Sequence, residues 1–297
     1  MKAADIICPV CNSIDIRPYV KKNGYNVFFC QACKLLFIFP LANIADINQT
    51  VYNKQYFIKD KAEKNFGYSN YEEDKKPMIR TFNRYLDCLE KFLPDRGKLI
   101  DIGAATGFFL GLAQARGWKT FGAEISEYAA EIGRRNGQNI IQGTIKNFLD
   151  RPESFEVVTY FDVFEHIFEP VAELKDVRAV LEPGGLLAIN TPDAGSVVAR
   201  LTGKNWYSLL PPEHVILYRP QNLKILLEAN GFEVLLIKKI GKQFTLQYIF
   251  QILANWIKVD ILLKIANLFG RKHLNRLMIP LNVRDNFLII ARKNEKV

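Results

Sequence analysis

The sequence predicts an α/β protein, a doubly wound sheet with a small metal-held module in front of it. Three observations lead there. Strand-like and helix-like patterns alternate from residue 96 onward, a glycine-spaced turn follows the first of those strands, and four cysteines stand in two matched pairs near the N-terminus. A length of 297 residues, 49% hydrophobic and 24% charged, suits one large domain plus a small one.

The cysteines come first. "CPVC" and "CQAC" place Cys8, Cys11, Cys30 and Cys33 as C-x2-C, 18 residues, C-x2-C. Two tight turns offering two thiolates each are what a tetrahedral Zn²⁺ site needs, and the spacing is that of a zinc ribbon. With four thiolates and no vacant ligand position, such a site is closed and structural rather than catalytic. The stretch between the pairs reads as a hairpin turning near Asn23-Gly24. A module this small buries little core and is expected to depend on its metal. The expected division is a ribbon at 1–45, a helical linker or substrate cover at 46–95, and a core at 96–297 carrying an insertion near 240–284.

Residues 46–75 are tyrosine-rich and polar, without a clear strand. A helix is predicted over 76–93 from Met78, Phe82, Tyr85, Leu86, Leu89 and Leu93, with Pro94 as its stop and Cys88 as a core thiol. Beyond it, strands are predicted at 98–103, 119–124, 138–142, 155–161, 186–191, 232–239 and 286–292. Helices are predicted near 107–116, 126–136, 169–182 and 220–230.

The turn after the first of these strands reads "DIGAATG", residues 101–107. A strand-to-helix turn of this kind lets backbone approach a ligand. In a dinucleotide site its amides would cradle a pyrophosphate, but Asp101 ends the strand and would repel one, and Ala105 replaces the glycine that admits it. A carboxylate here instead favours S-adenosylmethionine, whose sulfonium and ammonium are cationic. Glu124 ends the second strand, where an acid accepts ribose hydroxyls.

Taken with "FEVVTYFDVFEHIFEP" (155–170) and "LEPGGLLAINTPD" (181–193), these segments resemble class I S-adenosylmethionine-dependent methyltransferases over roughly residues 96–239. The resemblance implies a Rossmann-like seven-stranded sheet with an antiparallel last strand. It also implies cofactor contacts from Asp101, Gly103 and Gly107, with Glu124 on the ribose, Thr144 and Ile145 at the adenine edge, and Phe161 and Asp162 at the methionine end. The family's Asn/Asp-Pro-Pro-aromatic signature of amine methylation is replaced by "YFDVFEH", so adenine or glutamine N-methylation is not expected. Glu165-His166 is read as positioning the fold or cofactor.

The string "NWYSLLPPEHVILYRP" (205–220) follows the fifth strand, on the ligand side of such a sheet. Trp206, Tyr207, Glu213, His214 and Tyr218 give it the composition of a pocket: apolar walls with polar tips. Methyl transfer needs an aligned nucleophile and a group that takes its proton; His214 is the candidate base and Glu213 its orienting or substrate-binding partner. Ribbon, core and the Glu213-His214 pair together resemble a bacterial family that includes deoxysugar C-methyltransferases, which implies pocket tyrosines at Tyr68 or Tyr71. The additional C-terminal domain of those sugar enzymes is not expected here. The expected acceptor is therefore a small molecule, a sugar or glycan, or a lipid-linked compound, methylated at carbon or oxygen.

The formal charge of +9 is local: residues 238–297 hold twelve Lys and Arg against three acids, and residues 1–237 are neutral. The insertion shows two amphipathic patterns, one on Leu246, Ile249, Phe250, Leu253 and Ile257, the other on Ile261, Leu262, Ile265, Leu268 and Phe269. With its basic flanks it suits an anionic membrane surface, a pocket cover, a subunit contact or core packing. RNA methylation guided by the ribbon is the competing reading; the ribbon is only mildly basic, which weighs against it. With neither an apolar N-terminal segment nor an uncharged run of about 18 residues, the expected location is cytoplasmic, with peripheral contact at the inner face of the membrane as a further option.

Overall fold

The computed structural model describes residues 6–40, 71–151, 154–240, 244–245, 278–279 and 284–295. Most of the 240–284 insertion, Tyr68 and the side chain of Tyr71 lie outside the described residues.

The N-terminal strands β1 (Ile16–Lys22) and β2 (Tyr25–Cys30) form the expected hairpin. Asn23 and Gly24 both take left-handed φ, 50° and 86°, the backbone that a two-residue turn with the twist of its strands requires. β3 (Leu36–Ile38) pairs with β2 on one side and with the short β9 (Ile216–Leu217) on the other, through Leu36–Leu217 and Phe37–Ile216. The ribbon sheet therefore ends on a strand from the far half of the chain. Ile6, Leu35, Phe37 and Ile38 share one buried core with Ile100, Tyr160, Val215 and Ile216 of the large domain. That shared burial supports a module too small to bury a core of its own.

After helix α1 (Tyr71–Glu90), the chain alternates through β4 (Lys98–Ile102), α2 (Phe108–Ala115), β5 (Lys119–Glu124), α3 (Glu127–Arg135) and β6 (Ile140–Gln142). It continues through β7 (Phe155–Phe161), α4 (Pro170–Val180), β8 (Leu181–Pro192), α5 (Val197–Thr202), α6 (Pro220–Ala229) and β10 (Phe232–Lys238). A two-residue ribbon, β11 (Phe244–Thr245) with β12 (Met278–Ile279), precedes the last strand, β13 (Asn286–Lys293). The large sheet has seven strands in the order β10-β13-β8-β7-β4-β5-β6. β13 runs antiparallel to both neighbours, and the other pairs are parallel. Its central strands are apolar on both faces because helices cover both.

The sequence predicts a helix to 182 and a strand from 186, whereas α4 stops at Val180 and β8 begins at Leu181. Glu182 to Gly185 are carried inside β8 as an irregularity, with Gly184 at φ 72° and a shift of the β7–β8 register between Phe155 and Val157. Apolar periodicity does not reveal such a bulge.

The order of strands places the site. From β4 the chain steps outward to β5 and β6, then returns to lay β7 on the other side of β4. Loops leaving β4 and β7 diverge there and open a crevice at the carboxyl ends of the strands, where ligands of doubly wound sheets bind.

Candidate active site

The β4 loop and the β7 loop meet at Gly103. Its φ of 75° is left-handed, and a Cβ there would stand 2.4 Å from Val163 Cγ2. Gly107, at φ 76°, turns the chain into α2. Ala105 is held at φ 48°, a conformation glycine adopts more easily, so the missing glycine is a strained position.

Two buried acids flank this turn. Glu124 accepts the Ala105 amide through Oε2 and the Ser126 amide through Oε1, both at 2.8 Å. Asp101 Oδ1 accepts the Thr159 hydroxyl at 2.6 Å. Burial pushes Asp101 up to about 7 against the pull of that hydrogen bond, and the Glu124 charge adds to the rise. Burial likewise raises Glu124, opposed by its backbone amides. Neither acid has an ion pair among the described residues. Two like-charged carboxylates in a low-dielectric crevice favour a cation and oppose a polyanion.

The other residues expected at the cofactor lie at the ends of neighbouring strands. Thr144 follows β6 and caps a short 3-10 turn by accepting the Lys146 amide at 3.3 Å, and Ile145 is fully buried. Phe161 ends β7 with its ring 4.7 Å from Tyr85 and 4.8 Å from Phe109, so α1 and α2 wall that side. Asp162 takes φ 57° beside the switch point, and its Oδ1 accepts the Asn190 amide group at 2.8 Å.

Glu165, His166, Glu213 and His214 come from two loops tied together by backbone. Val215 donates its amide to the Glu165 carbonyl at 3.0 Å. His166 Nδ1 lies 2.7 Å from the Glu213 carbonyl and His214 Nδ1 lies 2.6 Å from the Ser208 carbonyl, so each ring donates through Nδ1. The two ring centroids are 4.9 Å apart. Glu165 is buried and accepts the Thr191 hydroxyl at 2.9 Å. Burial lowers His166, favouring its neutral form. One potential ligand atom from each of Glu165, His166 and His214 falls within 4.8 Å of the others, a grouping that could hold a metal ion.

Sequence reasoning singled out His214 with Glu213 and read Glu165-His166 as positioning the fold or cofactor. Glu165 and His166 were visible as a pair, but only the loop-to-loop contact brings them to His214. Glu213 reaches the cluster through its backbone carbonyl, whereas its side chain is buried, with Oε1 lacking a hydrogen-bond partner among the described residues and burial pushing it up to about 7. The orientation of His214 comes from Ser208. Tyr218 is not a polar tip of a pocket: it is fully buried and packs 5.6 Å from Phe164.

At the N-terminus, Cys8 and Cys33 sulfurs are 3.6 Å apart, as are those of Cys11 and Cys30, and all four fall within 4.8 Å of one another. The two knuckles match: Asn12 donates to the Cys8 carbonyl and Lys34 to the Cys30 carbonyl, both with left-handed φ. Bonds of about 2.3 Å to a tetrahedral ion require sulfur separations of roughly 3.8 Å, so four thiolates placed this way fit Zn²⁺.

A family model described as a methyltransferase domain matches residues 72–237, more than half of the chain. The chain belongs to the methyltransferase-domain family. This methyltransferase domain is 28% identical over 134 residues to a ubiquinone biosynthesis O-methyltransferase of Idiomarina loihiensis, covering 42% of this chain and 51% of that protein. The protein of the same name from Sinorhizobium fredii is 28% identical over 149 residues, covering 46% of this chain and 60% of that one. The match thus spans about half the length of these curated relatives. Among solved structures, a SAM-dependent methyltransferase from Archaeoglobus fulgidus aligns with a TM-score of 0.52 at 20% identity, over 74% of this chain and 94% of that one. The plantazolicin methyltransferase BpumL, solved with SAH, aligns with a TM-score of 0.50 at 15% identity, over 75% and 86%. These likenesses show the methyltransferase fold. No described helix is long and apolar enough to cross a membrane.

Proposed function

We propose that the protein is an S-adenosylmethionine-dependent methyltransferase acting on a small-molecule, sugar or glycan, or lipid-linked acceptor, at oxygen or carbon. The observation that carries the reading is the Glu124–Ala105 contact: an acid bonded to the amide that a pyrophosphate would need, with Asp101 buried nearby. In this reading Asp101, Gly103, Gly107, Glu124, Thr144, Ile145, Phe161 and Asp162 surround the cofactor. When bound, the cofactor supplies an activated methyl on a sulfonium. His214, oriented by the Ser208 carbonyl, takes the acceptor proton on Nε2, with His166 beside it and Glu165 stabilising positive charge on the pair. Buried Glu213 lies in the same loop and positions it. The ubiquinone-pathway relatives carry O-methyltransferase names, which supports oxygen as the acceptor atom. Cys8, Cys11, Cys30 and Cys33 hold a structural Zn²⁺ that fixes the ribbon against β9. The location in this reading is the cytoplasm, with the basic insertion available for a membrane surface.

The grouping of Glu165, His166 and His214 supports a second reading. A divalent cation held there would lower the pKa of an acceptor hydroxyl, with the two imidazoles as ligands and backbone carbonyls orienting them. Transfer of labelled methyl from S-adenosylmethionine into a cell extract fractionated into RNA, lipid, glycan and small molecules tests the function. Label in the small-molecule, glycan or lipid fractions is expected, and label confined to RNA would overturn the acceptor class. Dependence of turnover on added Mg²⁺ or Mn²⁺ separates the two readings of the imidazole pair.

A further inference from the structure

Between the ribbon and the large sheet lies a cavity of about 260 Å³ with walls from both. Tyr19 and Phe29 come from the ribbon hairpin, Arg200 and Trp206 from the segment after β8, and Arg219 from the start of α6. Arg200 Nε donates to the Gly195 carbonyl at 2.9 Å, but two other donors are unmatched. Trp206 is 1% exposed, yet its indole N–H has no hydrogen-bond partner among the described residues, and the same holds for Arg219 Nε. The Arg219 guanidinium lies 5.8 Å from the Phe29 ring centroid, and burial and the Arg200 charge both act against its protonated form. Lys22, whose ammonium donates to the Lys204 and Trp206 carbonyls at 3.3 and 3.4 Å, adds positive charge alongside. The nearby acid, Asp193, is paired with Lys239 at 2.8 Å and accepts the Gly195 amide at 2.7 Å. Neither Arg200 nor Arg219 has an ion pair among the described residues.

We propose that this cavity binds an oxyanion carried by the acceptor, a phosphate ester or carboxylate, which makes the ribbon part of the substrate site. The inference rests on the small-molecule methyltransferase reading and narrows its substrate class. A buried, unpartnered indole N–H and the unpartnered Nε of a guanidinium line the same cavity and suit an oxyanion, and two neighbouring guanidinium groups repel a cation. The faces of Phe29 and Tyr19 provide a wall for the organic part of the ligand. Position links the cavity to the chemistry: Ala194, which follows β8 at the carboxyl edge of the sheet, lines it. Trp206 stands two residues before Ser208, whose carbonyl orients His214. A neutral acceptor would leave the buried donors without partners.

The test is calorimetric titration of the full chain with inorganic phosphate, pyrophosphate and benzoate, alongside S-adenosylmethionine in the same samples. At least one of the three anions is expected to bind the wild-type protein. Binding should weaken tenfold or more in Arg219→Gln and in Arg200→Gln, and recover in part in Arg219→Lys. Preference for the phosphates marks a phosphate ester and preference for benzoate a carboxylate; either supports the site. Where Arg219→Gln fails to fold, Arg200→Gln and Arg219→Lys carry the comparison. No binding of any anion to the wild type, or equal binding by wild type and Arg200→Gln/Arg219→Gln, overturns the proposal. If S-adenosylmethionine still binds in that case, only the cavity assignment falls. If the cofactor also fails to bind, the methyltransferase reading falls with it.

Discussion

The Glu124 carboxylate, at the end of β5, accepts the amide of Ala105, in the turn after β4, at 2.8 Å. That single contact ties the second parallel strand to the glycine turn and places negative charge where a nucleotide loop would hold phosphate. It gives the crevice its sign.

The acids of the crevice predict a pH dependence. Asp101 is raised to about 7 by burial, from an ordinary value near 4. Between those values the folded state holds a proton that the unfolded state releases, so the cofactor-free protein should lose stability as pH rises from about 4 to about 7, by at most roughly 4 kcal/mol. A cationic cofactor prefers the ionised acid, so its affinity should climb over the same range and level off above about 7. Thermal unfolding and calorimetry at pH 5 and pH 8 check both signs. Asp101→Asn should flatten both trends.

Gly103 predicts a steric effect. An alanine there would place Cβ 2.4 Å from Val163 at a left-handed φ. The conformation alone costs about 1–2 kcal/mol, and the clash adds to it. Gly103→Ala should lower the unfolding midpoint in urea and weaken cofactor binding at least tenfold.

His214 and His166 should separate binding from turnover. His214→Ala is expected to lower kcat by about 10²–10⁴ while the S-adenosylmethionine Kd stays within about twofold. Unchanged kcat would remove His214 from the chemistry. His166→Asn should lower kcat and move the pH–rate profile, because the two rings are 4.9 Å apart.

The four cysteines predict one tightly held zinc per chain. Prolonged chelation should release it and lower Tm, and Cys11→Ser should do the same. Because β3 pairs with β9, metal loss is expected to disturb the loop carrying His214 as well as the ribbon. Elemental analysis with a comparison of kcat before and after zinc is restored checks both effects.

Much of the fold is legible in the residues. Alternating apolar patterns place the seven strands of the large sheet, Asn23-Gly24 specifies the hairpin, and the cysteine spacing specifies a pair of matched knuckles. These are local signals, carried by nearest neighbours along the chain. The glycine turn and its two acids are legible for the same reason: charge and φ preference at 101–107 belong to the segment itself.

Local residue patterns suffice to read the class of fold, the two acids beside the glycine turn and the two C-x2-C knuckles. The folded chain adds the rest: the Ser208 carbonyl rather than Glu213 holds the His214 ring, Glu165 and His166 join it, and the ribbon closes a cavity with Arg219 and Trp206. The Ser208–His214 contact spans six residues, whereas the other groupings join segments tens to nearly two hundred residues apart through backbone hydrogen bonds and a strand pairing. Such contacts depend on where the chain returns in space, which no local pattern of residues encodes.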